Sequence, residues 1–328
     1  MSMINRRANP WIGVYPFEGR GLIINDINLG VELNPEMAEY IEKLWQPKAE
    51  KGWKSSWIAF IDKFYCSSAD KEGYLDNKSV VVIASAIPFY YVDGINKAIE
   101  QGKNFAPEQG YVNCLSVGFP TATKDGKVIF QRRAPDVHCP NILIHEPCGY
   151  MTSLAFASRA ECDKPEHAND PRLFNLETQL DFRKKEIADT FGLEAEAVIY
   201  EPAQDCLAAG WLTTEMYFST TGKIDASEKE LKLPEKGEFF FVPFEYLKDL
   251  INNQGRLSKI NPEGYRPEDP REIPLIDESL VGLIWGYEKL TGEKLDIEET
   301  VDRLGHGGLD IRVMDTSFRK SYVFPTRF

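Results

Sequence analysis

The chain has 328 residues, of which 43% are hydrophobic and 27% are charged, and its formal net charge is −13 at pH 7. The composition is that of a globular protein, and the negative charge argues against an extended nucleic-acid or anionic-membrane surface, because such surfaces depend on Lys and Arg. The sequence has no apolar run long enough to span a membrane and no apolar signal core after its first residues, so it predicts a cytoplasmic protein.

The first 109 residues are predicted to form an α/β extension or a small domain. A helix is expected from Pro35 to about Trp45, with Asn34 as its N-cap. Strands are expected at residues 57–65 and 79–87, where β-branched and aromatic residues dominate. Residues 102–110 contain Gly and Pro, which interrupt regular structure, so the domain boundary is predicted there.

A β-hairpin is predicted next, between residues 112 and 134. The sequence VNCLSVGFPTATKDGKVIFQRRA gives a strand, a turn at residues 124–126 and a second strand that ends at Arg132 and Arg133. Further along the chain, residues 194–202 and 209–222 favour strands. Residues 237–251 favour a strand that runs directly into a helix.

A helix is predicted over the sequence LETQLDFRKKEIADTF, residues 176–191. Its apolar residues recur at helical spacing and form one face that points to the core. These residues are Leu176, Leu180, Ile187 and Phe191. Glu186 and Asp189 lie three residues apart on a different face, where two carboxylates can share a hard cation such as Mg²⁺.

From this helix the chain resembles the Nudix hydrolase superfamily, whose signature is G, five residues, E, seven residues and R-E-U-x-E-E-x-G-U, with U aliphatic. The second half aligns without a gap. Its positions are filled in turn by Glu177, Lys185, Glu186, Ile187, Asp189, Thr190, Gly192 and Leu193. Thr190 replaces a carboxylate. The matching glycine is Gly149, which 27 residues separate from Glu177, so we expect an insertion over residues 150–175.

The resemblance implies an α+β protein with a Nudix-like α/β/α sandwich and a mixed sheet at residues 110–255. Residues 1–109 would be the α/β extension, and residues 256–328 a linker and a C-terminal helical tail. Within that last part, residues 261–274 are expected to form a surface linker, followed by a helix from about Glu278 to Leu290.

The activity implied by the resemblance is hydrolysis of a nucleoside diphosphate linked to another moiety, dependent on Mg²⁺ or Mn²⁺. Glu186 and Asp189 would be metal ligands and catalytic residues, with Glu177 as a supporting catalytic residue. Lys185, Arg132 and Arg133 would bind substrate, and Lys185 would also replace the arginine that orients a box glutamate. The partner would be a small molecule, and the protein would be a homodimer.

Other interpretations of these residues stay open. Glu177 can serve as a charge at the helix N-terminus, and Glu186 and Asp189 can be exposed carboxylates without a role. Because Thr190 lacks charge, the alternative to a hydrolase is a catalytically silent Nudix-like module that binds a nucleotide or a protein. In an active enzyme, another residue would replace the missing carboxylate; the candidates are Glu161, His167 and Glu215.

A cluster of His and Cys residues offers a different chemistry. It comprises His138, Cys139, His145 and Cys148, followed by Cys162 and His167. Such side chains bind Zn²⁺, but their spacing is not the paired form of a zinc finger or ribbon. The sequence therefore favours polar loop histidines and half-buried thiols over a structural zinc site.

Overall fold

The computed structural model describes most of the chain, in several ranges. They are residues 11–16, 21–29, 35–53, 55, 57–67, 79–101, 103, 114–135, 139–150, 176–209, 215–257, 267–313 and 321–322.

Within these ranges the strands are β1 Trp11–Pro16, β2 Gly21–Leu29, β3 Trp57–Ser67, β4 Ser79–Pro88, β5 Cys114–Gly118, β6 Thr121–Thr123, β7 Lys127–Arg132, β8 Leu143–His145, β9 Cys148–Tyr150, β10 Val198–Ala209, β11 Glu215–Ile224, β12 Glu238–Pro243, β13 Asp310–Val313 and β14 Ser321–Tyr322. The α-helices are α1 Pro35–Ala49, α2 Phe89–Glu100, α3 Leu176–Phe191, α4 Phe244–Leu257, α5 Asp277–Thr291 and α6 Ile297–Gly307. None of these helices is long and apolar enough to cross a bilayer.

The strands form one mixed sheet, and the protein is therefore α+β. The main strand order is β12-β7-β6-β11-β5-β3-β4-β2. The sheet contains parallel pairs, such as β11 with β5 and β2 with β4, and antiparallel pairs, such as β12 with β7 and β3 with β4. The sheet continues across the predicted boundary near residue 110, because β3 pairs with β5. The division into separate domains at that point stays a prediction.

Most of the predicted elements are present. Helix α1 begins at Pro35 and ends at Ala49, four residues beyond the expected Trp45. The hairpin of β6 and β7 turns at Gly126, whose φ of +78° lies in the left-handed region that glycine adopts without strain. Strand β12 runs directly into α4, as its sequence indicated.

The C-terminal region is more deeply packed than its sequence suggested. Residues 261–266 lie outside the described ranges, but Ile273 is fully buried, so the end of the expected surface linker enters the core. The Leu143 N–H donates to the Pro274 carbonyl, and the Ile276 N–H donates to the Leu143 carbonyl, which ties this segment to β8. Helix α5 follows, at the predicted place, with nearly every residue buried.

Candidate active site

Helix α3 carries the family-like residues and packs on the sheet through the expected face. Leu180, Ile187 and Phe191 are buried, which confirms the apolar stripe for the side chains that the structure describes. The helix ends at Gly192, whose φ is +67°, and the Leu193 N–H donates to the Ala188 carbonyl. Such a left-handed glycine is a common helix terminator. The side chains of residues 176–178 lie outside the described part.

Arg183 is the best-fixed side chain on this helix. It is 6% exposed, and its guanidinium donates to Glu186 Oε2 at 2.6 Å and to the Tyr150 carbonyl at 2.7 Å. It lies flat against Gly149: a Cβ on this glycine would be 2.7 Å and 2.9 Å from its terminal nitrogens. The structure thus brings Gly149 to the helix despite the intervening residues.

In the structure it is Arg183 that pairs with Glu186, and the orienting role expected of Lys185 stays a prediction. Lys185 itself is exposed, as is Asp189. Thr190 Oγ1 donates to the Glu186 carbonyl at 2.7 Å, so this hydroxyl is bonded to the helix backbone. Glu186 keeps 42% of its side chain exposed, and it can still bind a ligand from solution while Arg183 fixes one of its oxygens.

Glu146 belongs to the same electrostatic environment. It lies between β8 and β9 and precedes a cis peptide bond to Pro147. Burial and the nearby negative charge of Glu186 raise the pKa of Glu146 to about 8, against a smaller opposing effect of Arg183 and Arg133. The charge of Glu186 thus disfavours the ionised form of Glu146, and a bound cation would reduce that effect.

A cavity of about 550 Å³ opens beside Glu146. Strands β7, β8 and β12 and the segments that adjoin them supply its walls. The lining is mixed: it includes the apolar residues Ile144 and Pro135 and the charged residues Arg133 and Lys236. The volume is within the range of small-molecule pockets.

The two arginines expected to bind substrate have different surroundings. The Arg132 side chain is 2% exposed, pairs with Glu238 at 3.1 Å and donates to the Pro267 carbonyl at 2.5 Å. Its guanidinium also lies over the Phe240 ring. Arg132 thus joins β7 to neighbouring segments. Arg133 is half-buried and lines the cavity, where it also affects the pKa of Glu146.

The described members of the His and Cys cluster are dispersed. His145 is fully buried and hydrogen-bonds through Nε2 to the Tyr217 hydroxyl. Cys139 and Cys148 pack instead with Ile142 and Ile144 in an apolar cluster. His138, Cys162 and His167 lie outside the described residues, as do Glu161 and the side chain of Glu215.

The described residues form no closed metal cage. Among the described residues no group of three His, Cys, Asp or Glu side chains is placed to hold a metal ion. Mg²⁺, however, keeps much of its water and is often bound by one or two carboxylates together with substrate phosphates. Glu186 and Glu146 are the two acidic side chains here that would have to meet that requirement.

Sequence reasoning missed Arg183, Glu146 and Lys236. The spacing of Arg183 and Glu186, three residues apart on a helix, was a usable signal. No local spacing in the sequence points to Glu146 or Lys236, because the pairing of distant strands and the loops between them bring these residues to the site.

The chain matches no protein-family model and no curated protein sequence. Among solved structures it is similar to RenU, a Nudix hydrolase from M. smegmatis, with a TM-score of 0.25 and 16% identity over 54% of this chain and 82% of that chain. A likeness this weak does not establish a shared fold, so the inferences below are drawn from the residues of this chain.

Proposed function

We propose that the protein is a Mg²⁺-dependent hydrolase of a nucleoside diphosphate linked to another moiety, built on a Nudix-like domain at residues 110–255. The observation that carries the proposal is the fixed Arg183–Glu186 pair on α3, because the charge of Glu186 acts on Glu146, and Glu146 lines a cavity of about 550 Å³. This geometry gives an oriented carboxylate, a second acidic group and room for a nucleotide-sized ligand.

Each residue has a physical task in this proposal. Glu186, held by Arg183, would bind Mg²⁺ together with Glu146, and Asp189 on the next turn would bind its water shell. Arg133 would hold a substrate phosphate through its fork of donors. When bound, Mg²⁺ would neutralise the diphosphate and lower the pKa of the attacking water; Mn²⁺ has the same preference for oxygen ligands. Glu146 can exchange a proton near neutral pH, since its pKa is about 8.

Three roles that were predicted from the sequence stay part of the proposal, although no contact in the structure supports them. They are the supporting role of Glu177, the substrate contact of Lys185 and the role of Arg132 beyond the pairing described above. The cytoplasmic location and the homodimer likewise stay predictions.

A silent nucleotide-binding domain is the second candidate, and Thr190 favours it. The position offers no charge, and its hydroxyl is hydrogen-bonded to the Glu186 carbonyl. Loss of one carboxylate removes a strong attraction for a cation in a pocket from which water is partly excluded. In that case the cavity would still bind a nucleotide, without turnover.

A substrate panel separates the two candidates. Purified protein would be incubated with nucleoside diphosphate derivatives in Mg²⁺ or Mn²⁺, and products would be separated by chromatography. Metal-dependent cleavage supports the hydrolase. No cleavage anywhere on the panel, with nucleotide binding retained in calorimetry, supports the silent domain.

Thr190→Glu is the matching gain-of-function variant. Thr190 is only half-buried, so a longer side chain can reach solvent on this face. In a hydrolase with a weakened metal site, the added carboxylate should raise turnover at limiting Mg²⁺ by about tenfold, the equivalent of roughly 1.4 kcal/mol. Unchanged turnover and unchanged Mg²⁺ dependence would count against a damaged metal site at this position.

A further inference from the structure

Tyr150 connects helix α3 to the N-terminal part of the chain. Its backbone carbonyl accepts a hydrogen bond of 2.7 Å from Arg183, and Arg183 donates in turn to Glu186 at 2.6 Å. The ring of Tyr150 lies 5.7 Å from the ring of Phe89, measured between centroids, at an angle of 53°. Phe89 is the first residue of α2. The backbone and the side chain of Tyr150 therefore contact two different regions of the protein.

The ring of Tyr150 also packs against an apolar cluster that α1, α2, β3 and β5 build. The buried members of this cluster are Met37, Ile41, Ile58, Val92, Ile95 and Cys114. The backbone of Tyr150 is fixed as well, because β9 pairs with β5 and Tyr150 lies opposite Ser116. A close-packed interior resists small displacements. The cluster and the strand pairing can therefore hold the Tyr150 carbonyl in a defined place.

Arg183 depends on that carbonyl for its position. Its side chain is 6% exposed, and its Nε is buried without an acceptor among the described residues. The guanidinium is therefore held through its terminal nitrogens, which donate to the Tyr150 carbonyl and to Glu186. Of these two acceptors, the carbonyl belongs to the sheet, whereas Glu186 lies on α3 itself and is 42% exposed. The sheet thus fixes Arg183 through Tyr150, and Arg183 fixes Glu186.

We propose that Phe89 and Tyr150 are positioning residues, through which the N-terminal part of the chain orients Glu186 by way of Arg183. These four residues are called the relay below. The proposal rests on the hydrolase function proposed above and extends its site beyond residues 110–255. Phe89 and Tyr150 do not line the cavity of about 550 Å³, so they would act on the carboxylate and not on the substrate. Such an effect matters because a small misplacement of a catalytic group slows the reaction strongly.

The motion of the Arg183 guanidinium tests the relay without substrate or metal. In protein labelled with ¹⁵N-arginine, NMR measures rotation about the Cζ–Nε bond, which hydrogen bonds to the terminal nitrogens slow down. Arg183→Lys identifies the signals. Tyr150→Ala keeps the backbone carbonyl but removes the ring that anchors it. This variant and Phe89→Ala should each accelerate the rotation about fivefold, because a hydrogen bond from a charged group is weakened. The conservative variants Tyr150→Phe and Phe89→Tyr keep the rings and should show the wild-type rate.

Steady-state kinetics at saturating Mg²⁺ separates positioning from substrate contact. Tyr150→Ala and Phe89→Ala should lower kcat about fivefold with little change in KM, and the conservative variants should restore it. Tyr246→Ala is the matched control, because Tyr246 is an aromatic residue of similar exposure, 42%, whose ring on α4 lies against Arg271. A raised KM with wild-type kcat in Phe89→Ala and Tyr150→Ala would overturn the proposal, since these residues would then contact the substrate.

The outcomes distinguish the relay from the hydrolase itself. Wild-type rotation of Arg183 in both Tyr150→Ala and Phe89→Ala would overturn the relay whatever the enzyme assay gives. If Tyr150→Ala does not fold, Phe89→Ala decides, because the Phe89 ring is 37% exposed and can be removed without opening the core. Faster rotation in the alanine variants, with no metal-dependent cleavage by the wild-type protein, would support the relay and contradict the hydrolase.

Discussion

Replacing Gly149 by alanine tests how Arg183 is held, and its effect can be worked out from the structure. The added Cβ would be 2.7 Å from a terminal nitrogen of Arg183. The guanidinium must then retreat by roughly 0.7 Å to reach ordinary van der Waals contact. Its two hydrogen bonds, 2.6 Å to Glu186 and 2.7 Å to the Tyr150 carbonyl, are short enough that such a shift would stretch or break both.

The expected loss is larger for activity than for stability. A hydrogen bond that involves a charged group contributes about 1.5–3 kcal/mol. If the hydrogen bond that orients Glu186 is lost, at the lower value of about 1.5 kcal/mol, kcat/KM should fall about tenfold. The Tyr150 carbonyl would lose its partner at a cost of about 1 kcal/mol, which corresponds to a fall in Tm of roughly 1–2 °C for a chain of 328 residues.

Steady-state kinetics and thermal unfolding of Gly149→Ala measure both quantities. Gly305→Ala is the matched control, because a Cβ on this glycine in α6 meets nothing within 4 Å; it should leave kinetics unchanged and stabilise the helix by about 0.5–1 kcal/mol. Wild-type kinetics in Gly149→Ala would refute the reasoning, since the close contact would then have no bearing on Glu186.

The remaining predictions concern two buried titratable groups. Burial lowers the pKa of His145 from 6.5 to about 3; between these values the unfolded chain binds the proton and the folded chain does not, so stability falls as the pH drops. From pH 7 to pH 4.5 the titration of His145 should lower the free energy of unfolding by about 2.5 kcal/mol. Urea unfolding of His145→Gln should lack that part of the acid dependence. An equal pH dependence in both proteins would contradict the lowered pKa of His145. Glu146, with its pKa raised to about 8, should release about 0.9 proton per Mg²⁺ bound at pH 7. Calorimetry in two buffers of different ionisation enthalpy measures this release, which should disappear in Glu146→Gln, and identical heats in the two buffers for the wild-type protein would contradict it.

The sequence predicted those parts of the protein that depend on local pattern. The apolar spacing of α3 located both the helix and its buried face, because a helix repeats its contacts every three to four residues. The turn at Gly126 followed from glycine chemistry in the same way. Arg183 could also have been preferred to Lys185, since the residue three before Glu186 shares its face of the helix and the adjacent residue does not.

The rest of the site depends on contacts between distant segments. Glu146 is 40 positions from Glu186 in the sequence, and its altered pKa arises from burial that only the packed sheet creates. Lys236 and Arg133 line the same cavity because β12 pairs with β7, and no local spacing encodes that register. The buried end of the expected linker at Ile273 has the same explanation, because its hydrogen bonds are made to β8.

The most direct test of the proposed hydrolase is metal-dependent turnover by Glu186→Gln on a substrate that the wild-type protein cleaves. Glu196→Gln serves as its control, because Glu196 is an exposed carboxylate after the helix. The substitution at residue 186 keeps the size of the side chain and removes its charge. We expect kcat at saturating Mg²⁺ to fall by about 100-fold or more, the equivalent of roughly 3 kcal/mol, with wild-type rates in the control. Equal turnover by all three proteins would contradict a catalytic site at Glu186.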